Sequence, residues 1–83
     1  MKIRIKVLYF AQAREAAGAG EEVMSVPQGT SVGEVMRISL DAHKGLRGIS
    51  RTLQVAVNEE MARPGHLLSD GDVVAVLPPV AGG

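Results

Sequence analysis

Ile3, Ile5, Val7 and Tyr9 alternate with Lys2, Arg4 and Lys6 at the start of the chain, and this period of two constrains all that follows. It dictates a strand with one face on a core and the other toward water. Such a strand needs neighbours beside it and a cover over its apolar face. Only one segment has the pattern of a long helix to supply that cover. Ser31-Val32-Gly33-Glu34 has the S-x-x-E spacing of a capping box, in which the hydroxyl and the carboxylate satisfy amides at a helix start. Val32, Val35, Met36 and Leu40 then share a face, and His43-Lys44-Gly45 supplies cations for the last turn and a left-handed stop. One helix covers one face of one sheet, which predicts a small α+β roll rather than a doubly wound sheet.

The remaining segments supply the neighbours. Ala11 to Ala17 is rich in helix formers and is followed by Gly18-Ala19-Gly20, the pattern of a short helical turn ending in glycine. Strands are predicted over Glu22–Val26, stopped by Pro27-Gln28-Gly29, and over Leu53–Val57, with Met61 opening another short one. The near-continuous apolar run Val73–Leu77 suits a strand buried among its neighbours. Asn58-Glu59-Glu60 and Asp70-Gly71-Asp72 are turn signals, and Leu46–Arg51 fits either a short helix or a loop. Residues 1–77 thus read as a single domain and 78–83 as a tail, with no repeats or linkers.

Composition excludes several classes of function. At 83 residues and 46% hydrophobic, the chain has one small core and few apolar residues left for a deep pocket. Nine Lys+Arg balance nine Asp+Glu, and one Tyr, one Phe and no Trp leave no stacking platform, so neither nucleic acid nor an anionic membrane is an expected partner. The absence of cysteine removes disulfides, thiolate metal sites and a cysteine nucleophile. The stretch Val7–Ala13 after the basic front Met1–Lys6 is too short for a signal peptide, and no run approaches a membrane span, so a cytoplasmic location is expected.

Most polar residues have an ordinary reading. The basic triplet on the first strand reads as its solvated face. Gly18-x-Gly20 is not a full dinucleotide fingerprint. Asp70 and Asp72 are accounted for by turn chemistry, and no metal ligand set is read. His43 and His66 read as surface or capping residues, and Glu21-Glu22 and Glu59-Glu60 as solvated charge in turns.

The unusual segment is Leu77-Pro78-Pro79-Val80-Ala81-Gly82-Gly83. Two prolines cannot donate ladder hydrogen bonds and bias the backbone to an extended form, so the last strand must stop and project a tail. Six residues reach roughly 20 Å when extended. A tail ending in two residues without side chains is narrow enough to thread a partner's tunnel, and nothing crowds the Gly83 carboxylate. That carboxylate is the best candidate reactive group in the chain.

These residues resemble the small subunit of molybdopterin synthase, a ubiquitin-like sulfur-carrier family with the β-grasp fold. The resemblance rests on Leu8-Tyr9-Phe10-Ala11-Gln12-Ala13-Arg14-Glu15, Ala56-Val57-Asn58, Leu68-Ser69-Asp70-Gly71-Asp72-Val73-Val74-Ala75 and the Pro78-to-Gly83 tail, in that order. It implies a mixed sheet with one main helix on one face. It also implies that a ubiquitin-activating-type enzyme uses ATP to adenylate Gly83, which then becomes a thiocarboxylate; this chain itself binds no cofactor. The sulfur passes to a cyclic pyranopterin precursor inside the large synthase subunit, in a heterotetramer where catalysis lies mainly in that subunit. The resemblance further implies an apolar docking surface at Phe10, Met61 and Leu77 with Arg14 as a polar contact, Leu77 standing where the family often has an aromatic residue. Pro78, Pro79, Val80, Ala81 and Gly82 would enter the partner. The competing readings are a sulfur carrier for thiamine or cysteine synthesis, a modifier joined through Gly83 to lysines of other proteins, and a plain β-grasp binding module with an inert tail.

Overall fold

The alternation at the start of the chain becomes strand β1, Lys2–Tyr9, in a computed structural model that describes residues 1–78. Ile3, Ile5, Val7 and Tyr9 are buried and Lys2, Arg4 and Lys6 are exposed, as the pattern requires. Helix α1 (Ala11–Ala17) follows and ends on Gly18, whose φ of 76° is the left-handed conformation that glycine adopts without a Cβ clash. Strand β2 (Glu21–Pro27) returns antiparallel to β1. Its last residue, Pro27, is tolerated because β2 is an edge strand.

Helix α2 spans Val32–Ala42 behind the expected capping box: Ser31 Oγ accepts from the Glu34 N–H at 3.2 Å, and Glu34 Oε1 accepts from the Ser31 N–H at 3.2 Å. The residues left open between helix and loop form a 3₁₀ helix, Lys44–Thr52. Its Leu46 is wholly buried, which contributes about 2 kcal/mol. Gly45 does not adopt the left-handed conformation predicted for it. A glycine stands there for lack of space, since a Cβ would lie 2.5 Å from the Ala16 carbonyl oxygen. Strands β3 (Gln54–Val57), β4 (Glu60–Met61) and β5 (Val73–Leu77) complete the sheet.

The strand order is β2-β1-β5-β3-β4, with β1 and β5 parallel and the other pairs antiparallel. This is the mixed sheet of the β-grasp architecture. Ala13 of α1, Val32 and Val35 of α2 and Leu46 belong to the same buried cluster as Ile3, Ile5, Val7, Val74 and Val76. All three helical pieces therefore lie on one side of the sheet, α2 being the main one. The opposite face has no helix over it among the described residues.

Three further expectations need correction. Helix α2 has no basic residue in its last turn, because it ends at Ala42 and Lys44 opens the 3₁₀ helix. Glu21 and Glu22 are not in a turn, because β2 begins at Glu21, opposite Leu8, and Glu60 likewise begins β4 opposite Val57. The run Val73–Leu77 occupies the centre of the sheet as predicted, yet only Val74 and Val76 are fully buried. Val73, Ala75 and Leu77 point to the uncovered face and are half-buried.

Candidate partner-docking face

Paired residues in adjacent strands share a face of the sheet, so the register maps the uncovered side. Leu8, Ala75, Ala56 and Met61 form one row across β1, β5, β3 and β4. Leu77 lies in the next row toward the end of β5, opposite Gln54. Phe10 continues β1 in extended conformation (φ −116°, ψ 148°), its N–H bonded to the Val76 carbonyl at 3.2 Å, which sets it beside Leu77. Immediately afterwards the backbone turns at Ala11 (φ 48°), a left-handed conformation that costs a residue with a Cβ about 1 kcal/mol. That turn leaves the Phe10 ring at the rim rather than in the core.

Phe10 is 44% exposed and Met61 61% exposed, so Met61 is not a core residue. The structure thus brings Phe10, Leu77 and Met61 onto one apolar face, with Met61 about 10 Å from β5 across two strand spacings. Arg14 lies at its rim, where Leu8, Phe10, Arg14, Gly20 and Glu21 line a shallow hollow. Its side chain passes over Gly20, at which a Cβ would stand 3.3 Å from Nε. Pro78, half-buried, follows directly from β5. Pro79, Val80, Ala81, Gly82 and Gly83 lie outside the described residues. Sequence reasoning missed Leu8, Ala56 and Ala75 on this face. The available signal was Leu8 itself, an apolar residue where the series Lys2, Arg4, Lys6 calls for a polar one.

Behind the face lies a polar cluster. Tyr9 is 2% exposed and donates from its hydroxyl to Glu22 Oε1 at 2.5 Å, with Ser39 Oγ at 3.0 Å as its second partner. His43 Nε2 reaches the same carboxylate oxygen at 2.9 Å, and its ring meets Tyr9 edge-on at 5.6 Å. Burial, and then the hydrogen bond to Glu22, push the Tyr9 phenol well above its ordinary value. Ser39 is fully enclosed, so the cluster ties β1, β2 and the end of α2 together and offers nothing to a substrate. His43 is indeed the residue capping α2, whereas Glu22 is an internal anchor rather than solvated charge.

The other candidates are structural. Asp70 Oδ1 accepts from the Arg4 N–H at 2.8 Å, and Asp72 accepts from the Ser69 N–H at 2.8 Å and Asn58 Nδ2 at 3.0 Å. His66 is exposed and contributes its backbone carbonyl to the Val32 N–H at 2.9 Å. No cluster of three His, Asp or Glu side chains placed to hold a metal occurs among the described residues. No helix among them is long and apolar enough to cross a membrane.

A family model described as "ThiS family" matches residues 7–83, which takes in Leu8, Phe10, Arg14, Met61, Leu77 and the tail. The chain belongs to the ThiS family. Among its relatives, the molybdopterin synthase sulfur carrier subunit of Chlamydomonas reinhardtii is 39% identical over 83 residues, covering 98% of this chain and 100% of that protein. The subunit of the same name in Mycobacterium tuberculosis is 39% identical over 82 residues, covering 98% and 99%. Among solved structures, small archaeal modifier protein 1 of Haloferax volcanii superposes with a TM-score of 0.82 at 27% identity, covering 94% of this chain and 99% of that one. The likeness to these ThiS-family and ubiquitin-like proteins agrees with the mixed sheet and its helical cover.

Proposed function

We propose that this ThiS-family chain is the small, sulfur-carrying subunit of a molybdopterin synthase. The observation that carries the reading is the pairing of an uncovered apolar sheet face with the point where β5 runs out into Pro78-Pro79-Val80-Ala81-Gly82-Gly83. A tail long enough to reach roughly 20 Å needs a body that holds it at the mouth of a partner's site. Phe10, Leu77, Met61 and Arg14 are that handle. The curated relatives that share the whole length of the chain support the pathway.

In this reading Gly83 is the reactive residue. Its carboxylate attacks the α-phosphorus of ATP on a ubiquitin-activating-type enzyme and releases pyrophosphate. Sulfide equivalents then displace AMP and leave a thiocarboxylate. A carboxylate is a poor electrophile, so adenylation supplies the leaving group, and the thiocarboxylate sulfur that results is soft and strongly nucleophilic, as thiolates are. The large subunit takes in the tail, catalysis resides there, and the sulfur passes to a cyclic pyranopterin precursor. ATP belongs to the activating partner, the assembly is a heterotetramer, and the work is cytoplasmic.

The test is intact mass. The chain, incubated with an activating enzyme, ATP and a sulfide source, gains the mass of one oxygen replaced by sulfur, and a variant lacking Gly83 does not. No gain with an enzyme that charges another carrier would refute the reading. The second reading, a modifier conjugated through Gly83 to lysines, draws support from the likeness to small archaeal modifier protein 1. Conjugates that survive a denaturing gel and vanish when Gly83 is removed would favour it.

A further inference from the structure

The uncovered face has a second half, and its chemistry differs from the first. Below the row that holds Leu8, Lys6 sits between Val23 and Val73, and Arg4 and Lys2 follow along β1. Charged residues on an edge strand discourage sheet-to-sheet aggregation, but β1 lies inside the sheet, between β2 and β5. Edge protection therefore does not explain this triplet. Nor does surplus charge, because the chain as a whole is neutral. Lys2, Arg4 and Lys6, three of the nine basic residues, share the face that bears Phe10, Leu77 and Met61, with Glu21 as an acid beside them.

They are also left open. Lys6 has Glu21 at 3.6 Å, a pair exposed enough to be weak. Neither Lys2 nor Arg4 has a carboxylate within 4.0 Å among the described residues. Asp70, the acid near Arg4, gives one carboxylate oxygen, Oδ1, to the Arg4 backbone N–H. Arg4 and Lys6 border a hollow lined also by Ile5, Val23, Gly71, Val73 and the acid Asp70.

We propose that Lys2, Arg4 and Lys6 form an electrostatic half of the docking face, and that the large subunit receiving the tail presents carboxylates opposite them. The inference rests on the carrier reading. At about 3.3 Å per residue, Lys6 stands about 13 Å and Lys2 about 26 Å from Phe10 along β1. Both halves fit within one interface of about 800 Å² per partner. Exposed charges of this kind act chiefly on encounter, steering the body so that the tail meets its entrance.

The experiment measures association and dissociation rates of the full chain with the large subunit at low and at half-molar salt. For the Lys2→Glu/Arg4→Glu double variant, the expected result is an association rate constant lower by about tenfold at low salt, a dissociation rate within about twofold of wild type, and convergence at high salt. Thermal melts establish that the variant is folded. If the wild type binds and delivers sulfur while the variant associates equally fast at low salt, the inference falls and the carrier reading stands. Should the wild type neither bind the large subunit nor take up sulfur, the carrier reading falls and takes the inference with it. Wild-type retention on anionic vesicles or transfer RNA, lost in the variant while large-subunit kinetics stay the same, also overturns it.

Discussion

Replacing Tyr9 by Phe removes one oxygen from the side-chain cluster that ties β1 to β2 and α2, whose Tyr9–Ser39 bond is buried. The ring stays, with its packing and its edge contact to His43 at 5.6 Å. What goes is the hydrogen bond to Glu22 at 2.5 Å and the partner of Ser39 Oγ at 3.0 Å. A hydrogen bond to a charged group contributes about 1.5–3 kcal/mol. Two features hold the loss toward the lower half of that range: Glu22 keeps His43 at 2.9 Å, and its side chain is 29% exposed, so water recovers part of the bond. Ser39 loses more, being wholly buried, though a helical serine can turn back to a carbonyl of its own helix. The net expectation is about 2 kcal/mol, which in a domain of this size lowers the melting temperature by about 8–16 °C. Urea unfolding followed by far-ultraviolet circular dichroism measures it. Ser39→Ala in the Tyr9→Phe background must cost less than in the wild type, because its partner is already gone. A loss under about 0.5 kcal/mol for Tyr9→Phe, or strict additivity of the two changes, would refute the account of the cluster.

Three further outcomes are expected. Tyr9 is the only tyrosine and there is no tryptophan, so phenolate absorbance reports it alone. The folded state holds the phenolic proton more tightly than the unfolded chain. Its stabilisation is thus complete below the unfolded phenol's pKa of about 10 and is lost as pH rises toward the higher folded value; phenolate appearing near pH 10 with the fold intact would contradict this. Gly45→Ala forces a Cβ to within 2.5 Å of the Ala16 carbonyl, and a cost of about 1–3 kcal/mol is expected in the same urea assay. Met61→Asp, at a position 61% exposed, leaves stability within about 0.5 kcal/mol and weakens binding to the large subunit at least about tenfold, as isothermal titration would detect.

The sequence by itself determined the local elements, because each is written in neighbouring residues. The period of two in β1, the Ser31–Glu34 box and the glycine after α1 all took the predicted form. It also determined the candidate chemistry, since a Pro-Pro stem before Gly82-Gly83 needs no fold to be read. Phe10 and Met61 came from resemblance, and periodicity alone left Met61 open between core and surface. Register decides it: Met61 pairs with Ala56, which pairs with Ala75, which pairs with Leu8, across residues up to 67 positions apart. No local pattern encodes pairing over such separations, because it is set by which strands the core brings together. For the same reason only the tertiary structure shows that half of the β5 run faces outward and that Glu22 lies under Tyr9 and His43. A side chain's type is a property of the chain, whereas its neighbours are a property of the packing.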